Sequence, residues 1–141
     1  MLRNKAFQLS AESFLFLVFC QSVNRLFYPP IVCNRGVGFA LGGETWLVAV
    51  ALRVGFIAWA VVLLLSTFRN KKNSRLILLA LVGGGLLLGG AVSNLLDRVI
   101  FGCVPDYFQP FPWFPAFNMA DIGVCSGALS LLYLYFSGLE D

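Results

Sequence analysis

Residues 76–100 read LILLALVGGGLLLGGAVSNLLDRVI, an apolar stretch whose polar side chains are confined to its last two turns. The stretch exceeds the roughly 20 residues that an α-helix needs to cross a bilayer, so it predicts a transmembrane helix. Gly85, Gly89, Ser93 and Asp97 recur at every fourth position and therefore share one stripe. Small residues let a neighbouring helix approach closely, and the polar end of the stripe predicts a crevice near one membrane surface.

Three further apolar segments flank this one, and each is long enough to span a bilayer. They cover approximately residues 9–27, 46–68 and 118–137. The chain has 141 residues, of which 59% are apolar and 12% charged, so a soluble domain could not bury this much apolar surface. The sequence predicts an all-α membrane protein with four transmembrane helices, forming a single integral membrane domain over residues 1–141.

Basic residues predict how the four helices are oriented. Four of the seven residues in 69–75 are Arg or Lys, and Arg3 and Lys5 precede the first span. Because such residues are retained in the cytoplasm, we expect both termini there and residues 28–45 and 101–117 on the extracytoplasmic side. The net charge of +3 then reflects membrane orientation and does not indicate nucleic-acid binding.

The residue types present exclude several kinds of catalytic site. The chain contains no histidine, so neither a Ser-His nor a Cys-His nucleophile pair can form. Lys5, Lys71 and Lys72 all fall on the predicted cytoplasmic side, a full membrane away from the polar crevice. None of the four cysteines has the C-x-x-C spacing typical of metal sites. We therefore expect no metal and no cofactor.

Paired carboxylates remain as the candidate chemistry. Asp106 follows the third predicted span, and Asp121 lies at the start of the fourth, beside Asn118. Ionisable side chains at membrane depth are costly and generally serve function. Two close carboxyl groups share a proton, so one can activate water while the other donates to a carbonyl oxygen. This predicts peptide hydrolysis of the aspartic type.

Three ordered blocks in the C-terminal half resemble a known family. They read GGAVSNLLDRV at 89–99, GCVPDY at 102–107 and FPAFNMAD at 114–121. Together they resemble lipoprotein signal peptidase, the bacterial type II enzyme, whose pattern runs G-G-A-x-G-N-x-x-D-R, V-x-D-F and F-P-x-F-N-x-A-D. The resemblance implies four helices with both ends in the cytoplasm and a small extracytoplasmic β-rich loop.

The resemblance also implies a reaction and its residues. The reaction is removal of the signal peptide from diacylglyceryl-modified prolipoproteins, by cleavage before the lipidated cysteine. The protease would be monomeric among membrane lipids, in the bacterial cytoplasmic (inner) membrane, with its site on the extracytoplasmic side. We expect Arg98 to neutralise Asp97. By position in the blocks, the catalytic residues are Asp106 and Asp121, and the supporting residues are Asn94, Asp97, Arg98 and Asn118.

The N-terminal half departs from the family pattern. The family shows D-x-x-x-K in the first span, where this chain has Gln21 and Arg25. We therefore expect Arg25 to lack an acid within its span, and Gln21→Asp to raise thermal stability by supplying one. The family's substrate-cradling loop N-T-G-A-A-F corresponds to NRGVGF at residues 34–39. The supporting residues thus also include Arg25, Asn34 and Gly36.

Other interpretations stay open at this point. Asn118 and Asp121 have the spacing of a helix cap and an N3 acid, which would only stabilise the fourth helix. The altered first-span motif allows a catalytically inactive homologue that binds lipidated signal peptides. A small proton-coupled transporter would use the two aspartates as proton carriers. Cys33 and Cys103 both fall on the predicted outer side, where a disulfide is allowed, but their spacing does not determine whether they pair.

Overall fold

The computed structural model describes residues 2–27, 29–35, 51, 54–55, 57–62, 65 and 74–137. In chain order, its elements are α1 (Leu2–Phe27), β1 (Val32–Asn34), α2 (Ser74–Phe101), β2 (Val104–Asp106) and α3 (Met119–Ser137). The two strands form an antiparallel sheet. This part of the chain is therefore mostly helical, with one small sheet.

Two of the helices, over Leu76–Phe101 and Met119–Ser137, are long and apolar enough to cross a membrane. They coincide with the third and fourth predicted spans. The first predicted span is helical as well, but α1 begins earlier, at Leu2, and polar residues such as Gln21 make it less apolar than the other two. The second predicted span lies largely outside the described residues, and its described positions between 51 and 65 are helical.

Helix α2 lies between α1 and α3 and packs closely against both. A Cβ added to Gly85 would collide with the carbonyl oxygen of Ser10 in α1. A Cβ added to Gly90 would collide with the carbonyl oxygen of Ala120 in α3. The predicted stripe therefore admits one helix, α1, through Gly85 and Gly89, and Gly90 beside it admits α3.

The apolar core joins α2 and α3 to one of the described helical residues between 51 and 65. Leu87 of α2 is buried together with Leu134 of α3 and with Ala60. Other apolar side chains of α3, including Leu129 and Phe136, are exposed. Lipid tails are as apolar as leucine, so close side-chain packing is what holds such helices together in a membrane.

A tight turn returns the chain from α2 to β2. Gly102 adopts a φ of 75°, which glycine tolerates, and its amide donates to the carbonyl oxygen of Arg98 at 2.9 Å. Strand β2 then begins at Val104, so Asp106 comes to lie at the polar end of α2. The sheet register is Val32↔Asp106, Cys33↔Pro105 and Asn34↔Val104.

The segment between β2 and α3 is closed by an antiparallel bridge. Phe108 and Phe117 exchange two backbone hydrogen bonds of 3.0 Å each. Between them, Phe111 and Trp113 stack with ring centroids 5.2 Å apart. The bridge places Asn118, the residue before α3, next to the end of β2.

Candidate active site

Polar side chains from several elements meet at one end of the α2–α3 pair. Asn94 lies in the last turns of α2, Asp106 ends β2, Asn118 precedes α3 and Asp121 lies in its first turn. The sequence predicted a polar crevice at this end of α2 and a pair of carboxylates in Asp106 and Asp121. The structure joins all four in one hydrogen-bonded network, which Asn34 of β1 extends.

Both carboxylate oxygens of Asp106 accept a hydrogen bond from an asparagine amide. Asn118 Nδ2 donates to Oδ1 at 2.8 Å, and Asn34 Nδ2 donates to Oδ2 at 3.2 Å. The Asp106 side chain is buried, with 2% of its surface exposed. It is therefore held from two sides, by the residue before α3 and by β1.

Asp121 is held in the same way. Asn94 Nδ2 donates to its Oδ1 at 2.8 Å, and the backbone amide of Asn118 donates to its Oδ2 at 3.1 Å. In return, the Asp121 amide donates to Asn118 Oδ1 at 3.1 Å, which makes a reciprocal cap on α3. The capping interpretation is thus correct for these two residues, but Asn118 Nδ2 also reaches Asp106 and Asn94 Oδ1.

Burial dominates the electrostatics of Asp106 and raises its pKa to about 6. The hydrogen bond from Asn118 opposes this rise, the negative charge of Asp121 adds to it, and the Asn34 amide and the Arg98 charge oppose it. Because the charged form is costly at a buried position, Asp106 holds a proton more readily than an exposed aspartate does.

Arg98 lies at the site, and its positive charge acts on Asp106. Its side chain is buried, and Nη1 donates to the backbone carbonyl oxygen of Arg35 at 3.0 Å. Among the described residues of this network, the charge of one arginine faces two carboxyl groups. A single proton shared by Asp106 and Asp121 makes this set neutral, which is the protonation state that water activation by paired carboxyl groups requires.

Asp97 takes its partners from α1, which corrects the expectation that Arg98 neutralises it. It forms an ion pair with Arg25 and accepts a hydrogen bond from Gln21 Nε2 at 2.9 Å. Arg25 therefore has an acid, but from α2 and not from its own helix. The ion pair that was expected from the neighbouring Arg98 is made by Arg25, which also lies 4.3 Å from the centroid of the Phe101 ring.

The hydrogen bond from Gln21 to Asp97 was not predicted from the sequence. The residue is buried and lies one turn before Arg25, so both reach Asp97 from one face of α1. That four-residue spacing was the available signal. Gly36, the remaining predicted site residue, lies outside the described residues.

A disulfide joins Cys33 and Cys103 beside the site, with Cα atoms 5.5 Å apart. The pairing that the sequence left open is therefore present. Cys20 and Cys125 are free thiols. Within the described part of the chain, His, Cys, Asp and Glu side chains form no group of three or more that could hold a metal ion.

Comparison with solved structures relates the whole fold to a membrane enzyme. The chain matches a structure titled "Bacterial membrane enzyme structure by the in meso method at 1.9 A resolution" with a TM-score of 0.63. The match covers 88% of this chain and 90% of the other, at 22% sequence identity. At this identity the likeness concerns the fold alone.

Curated relatives show much higher sequence identity. A protein of Syntrophomonas wolfei named "Lipoprotein signal peptidase" is 34% identical over 116 residues, which cover 81% of this chain and 72% of the relative. Proteins of the same name from Thermosynechococcus vestitus and Methylorubrum extorquens are 36% and 37% identical over 77% and 72% of this chain. The chain covers 65% and 59% of the length of these last two relatives.

A family model described as "Signal peptidase (SPase) II" matches residues 5–137 and so includes every described element of the site. The family resemblance drawn from the three sequence blocks is therefore confirmed. The chain belongs to the signal peptidase II family.

Proposed function

We propose that this chain is an aspartic endopeptidase that cleaves diacylglyceryl-modified prolipoproteins just before the lipidated cysteine. The observation that carries the proposal is the network around the two aspartates. All four carboxylate oxygens of Asp106 and Asp121 accept an N–H group from Asn34, Asn94 or Asn118. Such an arrangement fixes the two carboxyl groups in one place through neutral hydrogen-bond donors.

The two aspartates take different roles in the proposed reaction. Asp106 is the buried member with the raised pKa, so it holds the proton and acts as the acid. Asp121 acts as the base and takes a proton from water, whose oxygen then attacks the scissile carbonyl carbon. Asp106 donates its proton to the carbonyl oxygen, and the charge of Arg98 stabilises the negative charge that develops nearby.

Collapse of the tetrahedral intermediate completes the cleavage. The C–N bond breaks, and the departing amine takes the proton that Asp121 removed from water. The signal peptide leaves with a new carboxyl end, and the lipidated cysteine becomes the new amino end. Asp106 regains a proton as the carbonyl re-forms, so the pair returns to its singly protonated state.

Membrane position supports this substrate class. The basic segment 69–75 favours the cytoplasm, and the site lies at the opposite ends of α2 and α3. The site therefore faces the extracytoplasmic surface of the bacterial cytoplasmic membrane. A lipidated substrate anchored in that surface would present its peptide bond at the same level.

The proposal is tested by cleavage of a purified diacylglyceryl-modified prolipoprotein in detergent. Asp106→Asn and Asp121→Asn should each lower kcat by about 10²- to 10⁴-fold or more, because each removes a proton-transfer group. Glu12→Gln is the matched control, since Glu12 is an exposed carboxylate of α1 that accepts a hydrogen bond from Gln8. It should cleave at the wild-type rate.

The outcomes separate the competing interpretations. Wild-type protein that binds the lipidated substrate without cutting it would identify an inactive homologue. Neither binding nor cleavage by folded wild-type protein would instead favour the proton-coupled transporter, which proton-flux measurements in vesicles would then test.

A further inference from the structure

The two faces of the β1–β2 sheet carry different chemistry. Side chains alternate along a strand, so adjacent residues Cys33 and Asn34 point to opposite faces. Asn34 is on the face of Asp106, to which it donates a hydrogen bond. Cys33 is on the other face, where it is bonded to Cys103. One short strand thus links the disulfide to a carboxyl group of the site.

Besides the disulfide, the described contacts of β1 include its pairing with β2, the hydrogen bond from Asn34 to Asp106 and, at its two ends, the Ile31 amide donating to the Asp106 carbonyl oxygen and Arg98 donating to the Arg35 carbonyl oxygen. Each strand has only three residues, and two-stranded sheets are marginally stable on their own. Pro105, which pairs with Cys33, has no N–H group to contribute to the ladder. Strand β2 is buried, whereas Val32 and Cys33 of β1 are exposed. The disulfide is therefore the strongest described connection between the two strands.

We propose that the Cys33–Cys103 disulfide is a redox-sensitive positioning device for Asp106. In the oxidised protein it holds Asn34 within hydrogen-bonding distance of the carboxyl group. Reduction by a dithiol releases β1 and lowers the rate of cleavage. This inference rests on the proposed function, because it concerns the regulation of the same site.

The reduction step follows ordinary thiol–disulfide exchange. The reagent thiolate attacks the sulfur of exposed Cys33, the S–S bond breaks, and buried Cys103 leaves as a thiolate that takes a proton. The second thiol of the reagent then attacks the mixed disulfide and releases Cys33. Two electrons pass from the dithiol to the protein, and the reagent becomes a cyclic disulfide.

Loss of the hydrogen bond from Asn34 would change the pKa of Asp106, whereas a general loosening of the structure would not change it in this specific way. The Asn34 amide is one of the groups that lower the pKa of Asp106, together with Asn118 and the charge of Arg98 from α2. The charge of Asp121 from α3 and burial act in the opposite direction. Without Asn34 the pKa of Asp106 rises further, so the alkaline limb of the kcat/KM profile should move to higher pH.

The experiment compares oxidised full-length protein with protein treated with dithiothreitol, both in detergent. We expect reduction to lower the plateau of kcat/KM roughly tenfold, as loss of a hydrogen bond to a charged group would. It should also move the alkaline limb upward. Thiol titration verifies the redox state, because Cys20 and Cys125 are free in both forms.

Variants separate the disulfide from other effects of the reagent. Cys33→Ser combined with Cys103→Ser should match the reduced protein and be insensitive to dithiothreitol. Cys20→Ser combined with Cys125→Ser is the control and should respond as the wild type does. The Asn34→Ala variant already lacks the hydrogen bond to Asp106. Reduction should therefore not move the alkaline limb of its kcat/KM profile.

Each result bears on the inference. If the oxidised and the reduced protein have the same pH profile of kcat/KM, the inference is overturned. It is also overturned if reduction lowers kcat/KM but leaves the alkaline limb at the same pH, because that result indicates only a general loosening of the structure. If the oxidised wild type does not cleave, the proposed function fails and hydrogen exchange decides the inference separately. Faster exchange of residues 29–35 on reduction would then support the connection between disulfide and strand, and unchanged exchange would overturn it.

Discussion

Asp106 is the residue whose pKa sets the expected pH dependence of cleavage. Asp106 must hold a proton to act as the acid, so we expect kcat/KM to fall as pH rises through about 6, the pKa that burial gives this carboxyl group. Asn118→Ala and Asn34→Ala each remove an amide that stabilises the ionised form. Each should move this alkaline limb to higher pH, by on the order of one pH unit.

The order of the two shifts is part of this prediction. Asn118 donates at 2.8 Å and Asn34 at 3.2 Å, so the Asn118 variant should show the larger displacement. Gln109→Ala is a matched control, because Gln109 donates to the carbonyl oxygen of Phe114 on the exposed loop. A rising limb at about 6 in the wild type, in place of the falling one, would assign Asp106 the role of base.

Gln21 is the second residue for which the contacts determine a prediction. Its amide donates to buried Asp97, so Gln21→Asp would replace a donor with a second carboxylate facing Asp97. We now expect a loss of stability at pH 7, by about 1–3 kcal/mol, rather than the gain suggested by the family pattern. Thermal denaturation in detergent measures it.

Gln21→Leu separates the loss of the hydrogen-bond donor from the effect of the added negative charge, because it removes the donor and adds no charge. The aspartate variant should unfold at a lower temperature than the leucine variant. A higher melting temperature for Gln21→Asp than for the wild type would show that an acid on α1 pairs productively with Arg25 after all.

Helix α2 is the element whose packing determines where Asn94 lies relative to Asp121. Gly90 lies one turn before Asn94 and directly against the backbone of Ala120, so a methyl group there would force α2 and α3 apart. We expect Gly90→Ala to cost about 1–3 kcal/mol of stability and to lower kcat by lengthening the Asn94–Asp121 hydrogen bond.

Gly55→Ala is the matched control for that substitution. Gly55 is also helical, and a Cβ there would meet no atom within 4 Å among the described residues. Alanine should therefore leave the stability unchanged or raise it by about 0.5–1 kcal/mol. Equal effects of the two substitutions would mean that close approach at Gly90 is not required.

The pattern within each helix was predictable, but the pairing between helices was not. The four-residue periodicity placed Asp97 on the same stripe of α2 as the glycines. The order of the three sequence blocks predicted Asp106 and Asp121 as the candidate catalytic residues, with asparagines beside them. The four-residue spacing of Gln21 and Arg25 shows that they share one face of α1, but not that this face meets Asp97, which depends on the rotation of α1 against α2. The contact from Asn34 to Asp106 likewise depends on a strand register between positions far apart in the chain.

At the scale of the whole molecule, the residue types at its two ends predict how it lies in the membrane. The loop over residues 107–117 joins the end of β2 to α3 and carries six aromatic residues and no charge, with Trp113 78% exposed. Aromatic side chains of this kind prefer the membrane–water interface, and the basic segment 69–75 favours the cytoplasm. The site and the basic segment should therefore lie on opposite sides of the membrane.

Labelling of a single free cysteine in intact cells, with the Cys33–Cys103 disulfide kept, tests this orientation. In a Cys20→Ser, Cys125→Ser background, Gln109→Cys should react with a membrane-impermeant maleimide added from outside. Asn70→Cys should react only after permeabilisation, because the surrounding arginines and lysines are held inside. The reverse pattern would place the two aspartates on the cytoplasmic side and would contradict the extracytoplasmic site on which the proposed reaction rests.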